Sequence, residues 1–430
     1  MPSDLAPAPT RQLRRARVAV AACFFLNAVF FANLVPRLPL IKEELGLSNS
    51  SLGAALAAMP LGALLAALSS AALIRRFGSA RVASSGLVLL GLSLWTVALA
   101  PNWFAFAAAM LVAGGLDAVI DVAQNAHGLR VQRLYRRSIL NGFHGLWSIG
   151  AVSGGLLGSA AAGLGVPLVV HLGASAVVFG AVAVLASRAL LPGGDDDDRA
   201  AVDAPAVGEF VAAAQRRDGR RTAVLALAAL GVLGTCGAFV EDAGASWSAL
   251  YLRTELAAGA ATAGLGFVAL QGAMTVGRLT GDRVVDRFGQ RRVVQAGGVL
   301  IAVGMGLALA VPSVASTLAG FALAGLGVAT LIPAVYSAAD DLPGLRRGTG
   351  LAVINWLLRI GFLLSPPLIG VLADATSLRV ALLTVVAAGL GALLLGGCSA
   401  RGRPARRRRL SRRSPARPTG SSRSRTAGPR

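Results

Sequence analysis

Asp117, Asp121, Gln124, Asn125 and His127 interrupt a run that is otherwise almost wholly apolar. Asp117, Asp121 and Asn125 recur every four residues, so on a helix they share one face. At about 1.5 Å of rise per residue, the two carboxylates stand about 6 Å apart along the axis. Carboxylates in such a setting bind and release protons, and beside an amide they also contact polar solutes. The competing reading is a structural pair bonded to Arg130 or to a neighbouring helix. Asn141, His144 and Ser148 follow i, i+3, i+7 and form a second polar stripe, with Trp147 beside it. An imidazole, with its ordinary pKa of about 6.5, suits a proton relay. Interhelical hydrogen bonding, with the adjoining glycines as close-packing sites, explains the same stripe.

A third cluster joins Glu241 and Asp242 to Gly234, Gly237 and Gly244. Those glycines predict a helix that can break and expose backbone groups to a solute. Asp242 is expected to face an outer vestibule, and Trp247 and Tyr251 read as anchors at the membrane interface. Asn355 and Arg359 form the fourth cluster. Arginine stays charged, so Arg359 needs a wet cavity or a carboxylate partner. Glu241 and Asp242 are the candidates in the same half of the chain, and Asp117 and Asp121 the candidates across the interface between the halves. The proton-coupling candidates are therefore Asp117, Asp121, His144 and Glu241. Asn125, Asn141, Trp147, Asp242, Gln271, Asn355 and Arg359 are the candidates for lining a cavity. His171 reads as an interfacial residue.

The elements that carry these groups follow from composition. The chain has 430 residues, of which 55% are hydrophobic and only 14% charged, with mean hydropathy +0.67. Soluble domains carry about 25% charged residues, so most of this chain belongs in a bilayer. A span needs about 20 apolar residues, and twelve runs qualify: 18–40, 51–73, 80–100, 103–128, 139–163, 167–190, 222–251, 260–282, 293–311, 314–338, 348–372 and 377–397. Runs of this length satisfy their own backbone groups in lipid only as helices. The start is not a cleavable signal, since basic Arg11–Arg17 leads into a run long enough to span.

The chain also repeats itself. A shift of 211, from Phe77 to Phe288, places Arg76-Phe77-Gly78 on Arg287-Phe288-Gly289, Ala113-Gly114 on Ala324-Gly325, and His144 on Asn355. The expected organisation is an N-terminal tail 1–17, a six-helix bundle 18–191, a polar linker 192–221, a second bundle 222–397 and a basic, disordered tail 398–430. Arginines crowd alternate loops, among them Arg75, Arg76, Arg81, Arg130, Arg133, Arg216, Arg283 and Arg287. By the positive-inside rule both termini are cytoplasmic.

Twelve arginines of the tail supply more than half of the +21 net charge. That rules against reading the charge as nucleic-acid binding; Arg406–Arg409 instead suit anionic lipid. Cys23, Cys236 and Cys398 are scattered and read as small apolar fillers. The acidic run Asp195–Asp198 lacks a loop-forming glycine pattern and reads as solvated linker. No metal, cofactor or enzyme motif is found, and a monomer is expected.

Asp286-Arg287-Phe288-Gly289-Gln290-Arg291-Arg292 resembles the loop motif of the major facilitator superfamily. The resemblance implies an all-α membrane protein of twelve transmembrane helices in two pseudo-symmetric six-helix bundles. It also implies cytoplasmic gating by Asp286, Arg287, Gly289, Arg291 and Arg292, with Asp286 capping a neighbouring helix and the bases pairing across the halves in the outward-open state. Arg76 and Gly78 belong to the first copy, which departs from the pattern: Arg75 stands where the acid belongs and Ala80 where a base does. Asp121–Gly128, Phe143–Gly150 and Trp247–Leu252 resemble a MosC-like branch of inner-membrane transporters, distantly akin to fucose–proton symporters. The implied function is secondary transport of a small organic solute, with protons as the driving partner and a site at mid-membrane. Few aromatic residues, 5%, tilt the expectation toward export of a metabolite or drug-like compound. The alternatives are proton symport of a sugar-like polyol and, more remotely, a membrane sensor or scaffold.

Overall fold

Uncharged stretches of this length close their own backbone hydrogen bonds as helices, and twelve do so in the computed structural model, which describes residues 10–135, 137–193, 217–340, 342 and 349–396. In chain order they are α1 (Arg11–Glu44), α2 (Asn49–Phe77), α3 (Ser79–Val97), α4 (Trp103–Tyr135), α5 (Leu140–Gly163), α6 (Leu168–Ser187), α7 (Val224–Thr254), α8 (Ala260–Phe288), α9 (Gln290–Ala310), α10 (Val314–Ala339), α11 (Val353–Ala375) and α12 (Leu378–Leu395). The twelve expected spans are all present. The linker with Asp195–Asp198, Arg346, Arg347 and the tail with Arg406–Arg409 lie outside the described residues.

Local chemistry sets the ends. Thr10, Ser48, Ser313 and Ser377 each accept a backbone N–H in the first turn of α1, α2, α10 and α12, satisfying donors that a helix start leaves open. Pro36 has no N–H, and α1 tightens to a 3-10 turn at Val35–Arg37 before continuing to Glu44. α10 is interrupted between Val328 and Leu331. The break expected near Gly234, Gly237 and Gly244 does not occur. α7 is continuous, and these glycines receive neighbouring side chains instead: Leu331 and Ile332 crowd Gly237, and Leu270 crowds Gly244.

The sequence repeat is a structural repeat. A side chain at Gly114 of α4 would meet the backbone of Met59 on α2, and one at Gly325 of α10 would meet the backbone of Leu270 on α8. Both glycines and both partners are related by the shift of 211. Gly78 and Gly289 likewise share φ +82 at the ends of α2 and α8, a conformation that glycine adopts without strain.

The two sets of six helices meet through α2 with α11 and α5 with α8. Close approaches sit at the Arg-poor face: Gly53 lies on Pro366, Gly370 on Asn49, and Gly264 on Ser159. There Asp374 of α11 accepts from the amides of Asn49 (2.9 Å) and Ser50 (2.7 Å), the first residues of α2. The opposite face carries the Arg-rich loops.

Candidate functional site

α4 carries the polar residues Asp117, Asp121, Gln124, Asn125 and His127. Asn125 donates to the Asp121 carboxylate at 3.0 Å and to the Asp121 carbonyl at 2.9 Å; Gln124 donates to the same carboxylate at 3.4 Å. The four-residue spacing thus acts as expected for those two residues. Asp117 turns to α1, where Asn27 donates to it at 2.7 Å. Asn27 in turn accepts from the indole N–H of Trp147 at 2.9 Å. A chain Trp147–Asn27–Asp117 therefore runs across α5, α1 and α4. Neither carboxylate bonds Arg130, which instead donates to the carbonyls of Pro192 (2.8 Å) and Gly193 (3.3 Å). His127 is structural too, bonding Ser79 at 2.8 Å and accepting from Leu191 N–H at 3.2 Å.

On α5, Asn141 and His144 are exposed while Ser148 is buried. The His144 ring meets Phe24 edge-on at 5.1 Å. It lies in the fields of Asp121 and of Arg278. The field of Arg359 on α11 reaches Asp117, Asp121 and Tyr336, and Tyr336 donates to Asn355 at 3.2 Å. These groups come from both sets of helices and lie within electrostatic reach of one another.

The expected pairing of Arg359 with Glu241 or Asp242 is not what forms. Glu241 pairs with Arg278 of α8 at 3.2 Å. Asp242 does not open to an outer vestibule; Ser246 donates to it at 3.4 Å and Ser365 of α11 lies beside it. Gln271 is buried, with its amide nitrogen unbonded. Trp247 and Tyr251 are fully buried rather than interfacial, because α7 packs on several helices at once. His171 is buried as well, bonded through Nε2 to Asn33 at 2.7 Å.

The residues of the loop motif are placed but disengaged. Arg76 and Arg287 stack on their own neighbours, Phe77 and Phe288. Asp286, Arg291 and Arg292 are exposed, and among the described residues no hydrogen bond or ion pair engages them. Gln290, next in the motif, donates to the Ala334 carbonyl at 2.8 Å.

Asn27, Arg278, Tyr336 and Ser365 join the site without having been expected there. A signal existed for two of them. Asn27 is an amide in an otherwise apolar stretch of α1, and Arg278 a charge inside a span, both costly in lipid unless used.

A model described as the Major Facilitator Superfamily matches residues 20–240 and 233–426. The chain is 31% identical to the membrane protein MosC of Rhizobium meliloti over 376 residues, covering 86% of this chain and 87% of that protein. Among solved structures, the nucleoside transporter NupG superposes with TM-score 0.70 at 12% identity, covering 92% of this chain and all of that one. A D-xylose-proton symporter superposes with TM-score 0.66 at 15% identity, covering 91% and 97%.

Proposed function

The chain belongs to the major facilitator superfamily, and from that premise we propose a proton-coupled secondary transporter of a polar organic solute, with its site between bundles 18–191 and 222–397. One observation carries this reading: the charge of Arg359 on α11 acts on both carboxylates of α4, across the interface between the bundles. Protonating a carboxylate changes its attraction to Arg359, so proton binding and the relation of the bundles are tied together. Asp121, exposed and flanked by His144, is the group best placed to exchange the proton. Asp117, tied through Asn27 to Trp147, connects that change to α1 and α5.

The lining favours a solute with several hydroxyl or amide groups over an apolar drug. Asn125, Asn141, Asn355 and Tyr336 offer donors and acceptors that an apolar solute would leave unpaired, at a cost of about 1–3 kcal/mol each if buried. The geometry thus moves weight from metabolite or drug export toward the polyol-like alternative. The Arg-rich loops suit the cytoplasmic side of a bacterial inner membrane, and the disengaged motif with the joined opposite face supports an inward-open arrangement.

The test uses full-length protein in proteoliposomes with an imposed pH gradient and a panel of pentoses, hexitols and nucleosides. Asp121→Asn and Asp117→Asn should retain exchange of the accepted solute across the membrane, yet fail to accumulate it against a gradient. Uphill transport that survives both substitutions with unchanged pH dependence overturns the assignment.

A further inference from the structure

We infer that the Arg-poor face holds a second binding site, built around Arg37, for an organic carboxylate with an apolar body. A cavity of about 430 Å³ opens on this face between the end of α1, the α5–α6 connection and the first turns of α8. Arg37 lines it and is only 2% exposed. One guanidinium nitrogen donates to the Val166 carbonyl at 2.7 Å. The other two, Nε and Nη1, are buried without a hydrogen-bond partner among the described residues. Unlike a buried carboxylate or imidazole, arginine does not shed its charge to escape this situation. A buried guanidinium held by one neutral carbonyl, with the Glu44 carboxylate acting on it only from a distance, is incomplete until an anion bonds its free nitrogens.

The rest of the wall says which anion. Leu40, Ala98, Ala162, Val169, Ala260 and Ala263 give it an apolar surface, and the volume falls in the range of small-molecule sites. Inorganic phosphate would leave that surface wet, whereas an organic carboxylate covers it while its head meets Arg37. Arg253 also lines the cavity, with one nitrogen given to the Ala258 carbonyl at 3.1 Å. Glu43 and Glu44 stand exposed at the rim, so a second acid on the ligand would be repelled there and a monocarboxylate is favoured. The site lies at the far end of α1 from Arg11 and shares no residue with the mid-membrane cluster. It therefore stands or falls apart from the proton assignment.

The experiment is a thermal-shift titration of the full chain in detergent with benzoate, at constant pH and ionic strength, with benzamide and inorganic phosphate in parallel. Benzoate should protect the protein and the other two should not. Arg37→Gln should weaken benzoate at least tenfold, with Arg37→Lys intermediate. Ala260→Phe, which fills the cavity while leaving Arg37 in place, should abolish protection, and it decides the matter if Arg37→Gln does not fold. Absence of a benzoate effect on the unaltered chain, equal protection by benzamide or phosphate, or full protection surviving Ala260→Phe overturns the inference.

Discussion

Charges placed inside an apolar fold reveal their use through what they are bonded to. Glu241 and Arg278 are the clearest pair, one on α7 and one on α8, at 3.2 Å and only partly exposed. Removing one partner leaves the other charge poorly solvated, whereas removing both leaves none. Glu241→Gln and Arg278→Gln should therefore each lower the melting temperature, by the equivalent of roughly 1–3 kcal/mol once partial exposure is discounted. The double substitution should recover most of that loss. A melting series over the four proteins checks it, and additive losses would show that the pair is not coupled. Such residues were half legible beforehand. The spacing of Asp121 and Asn125 gave a shared face directly, since helical geometry alone decides it. Which of its four candidate carboxylates Arg359 would act on was not readable, because it depends on how α4 and α11 rotate toward each other, which side-chain packing sets. Asp117 was found by its charge, but its bond to Asn27 joins positions 90 residues apart.

Helices in this protein come together where side chains are missing. In lipid no hydrophobic force drives helices together, so close backbone approach carries much of the packing. Gly114 against Met59 and Gly325 against Leu270 are the same contact in the two halves, at positions that the repeat in the sequence already aligned. Gly114→Ala and Gly325→Ala each put a methyl group into backbone that has no flexible end to move aside. Each should cost about 1–3 kcal/mol, the usual range for overpacking, and the double variant should lose close to the sum because the sites lie in different bundles. A neighbouring exposed position such as Leu68→Ala should change melting little, which separates packing from general sensitivity. Span number and order were legible because hydrophobic length is a property of each run by itself. The breaks were not. Glycines in α7 suggested one, yet the helix stays whole because Leu331, Ile332 and Leu270 fill the space beside them. The actual break in α1 was encoded by Pro36, and its consequence is to turn Arg37 toward the outer cavity.

Alternating access requires that the bundles prefer neither arrangement by much, so a contact made in only one of them acts as a weight on the balance. Under the proposed rocking of the bundles, Asp374 is placed to make such a contact. Its carboxylate accepts the amides of Asn49 and Ser50, where the helix start presents unpaired donors and the positive end of its dipole. The bond joins α11 of one bundle to α2 of the other, at the face opposite the Asp286–Arg292 motif. On that opposite face Asp286, Arg291 and Arg292 engage nothing among the described residues, so in this arrangement the weight sits on the Asp374 side. Capping bonds of this kind are worth about 1–2 kcal/mol, which moves a two-state balance roughly 5- to 30-fold. Asp374→Ala should therefore shift the population toward the form open at the Arg-poor face. Paired spin labels on α2 and α11 near Asn49 and Asp374 would read this as a longer distance component growing at the expense of a short one. Asp286→Ala should act in the opposite sense, because by the superfamily resemblance its capping contact forms only when the Arg-rich face closes. The double variant should return toward the original balance. If Asp374→Ala leaves the distance distribution unchanged, the contact is a bystander and the close glycine approaches at Gly53 and Gly370 hold that face by themselves.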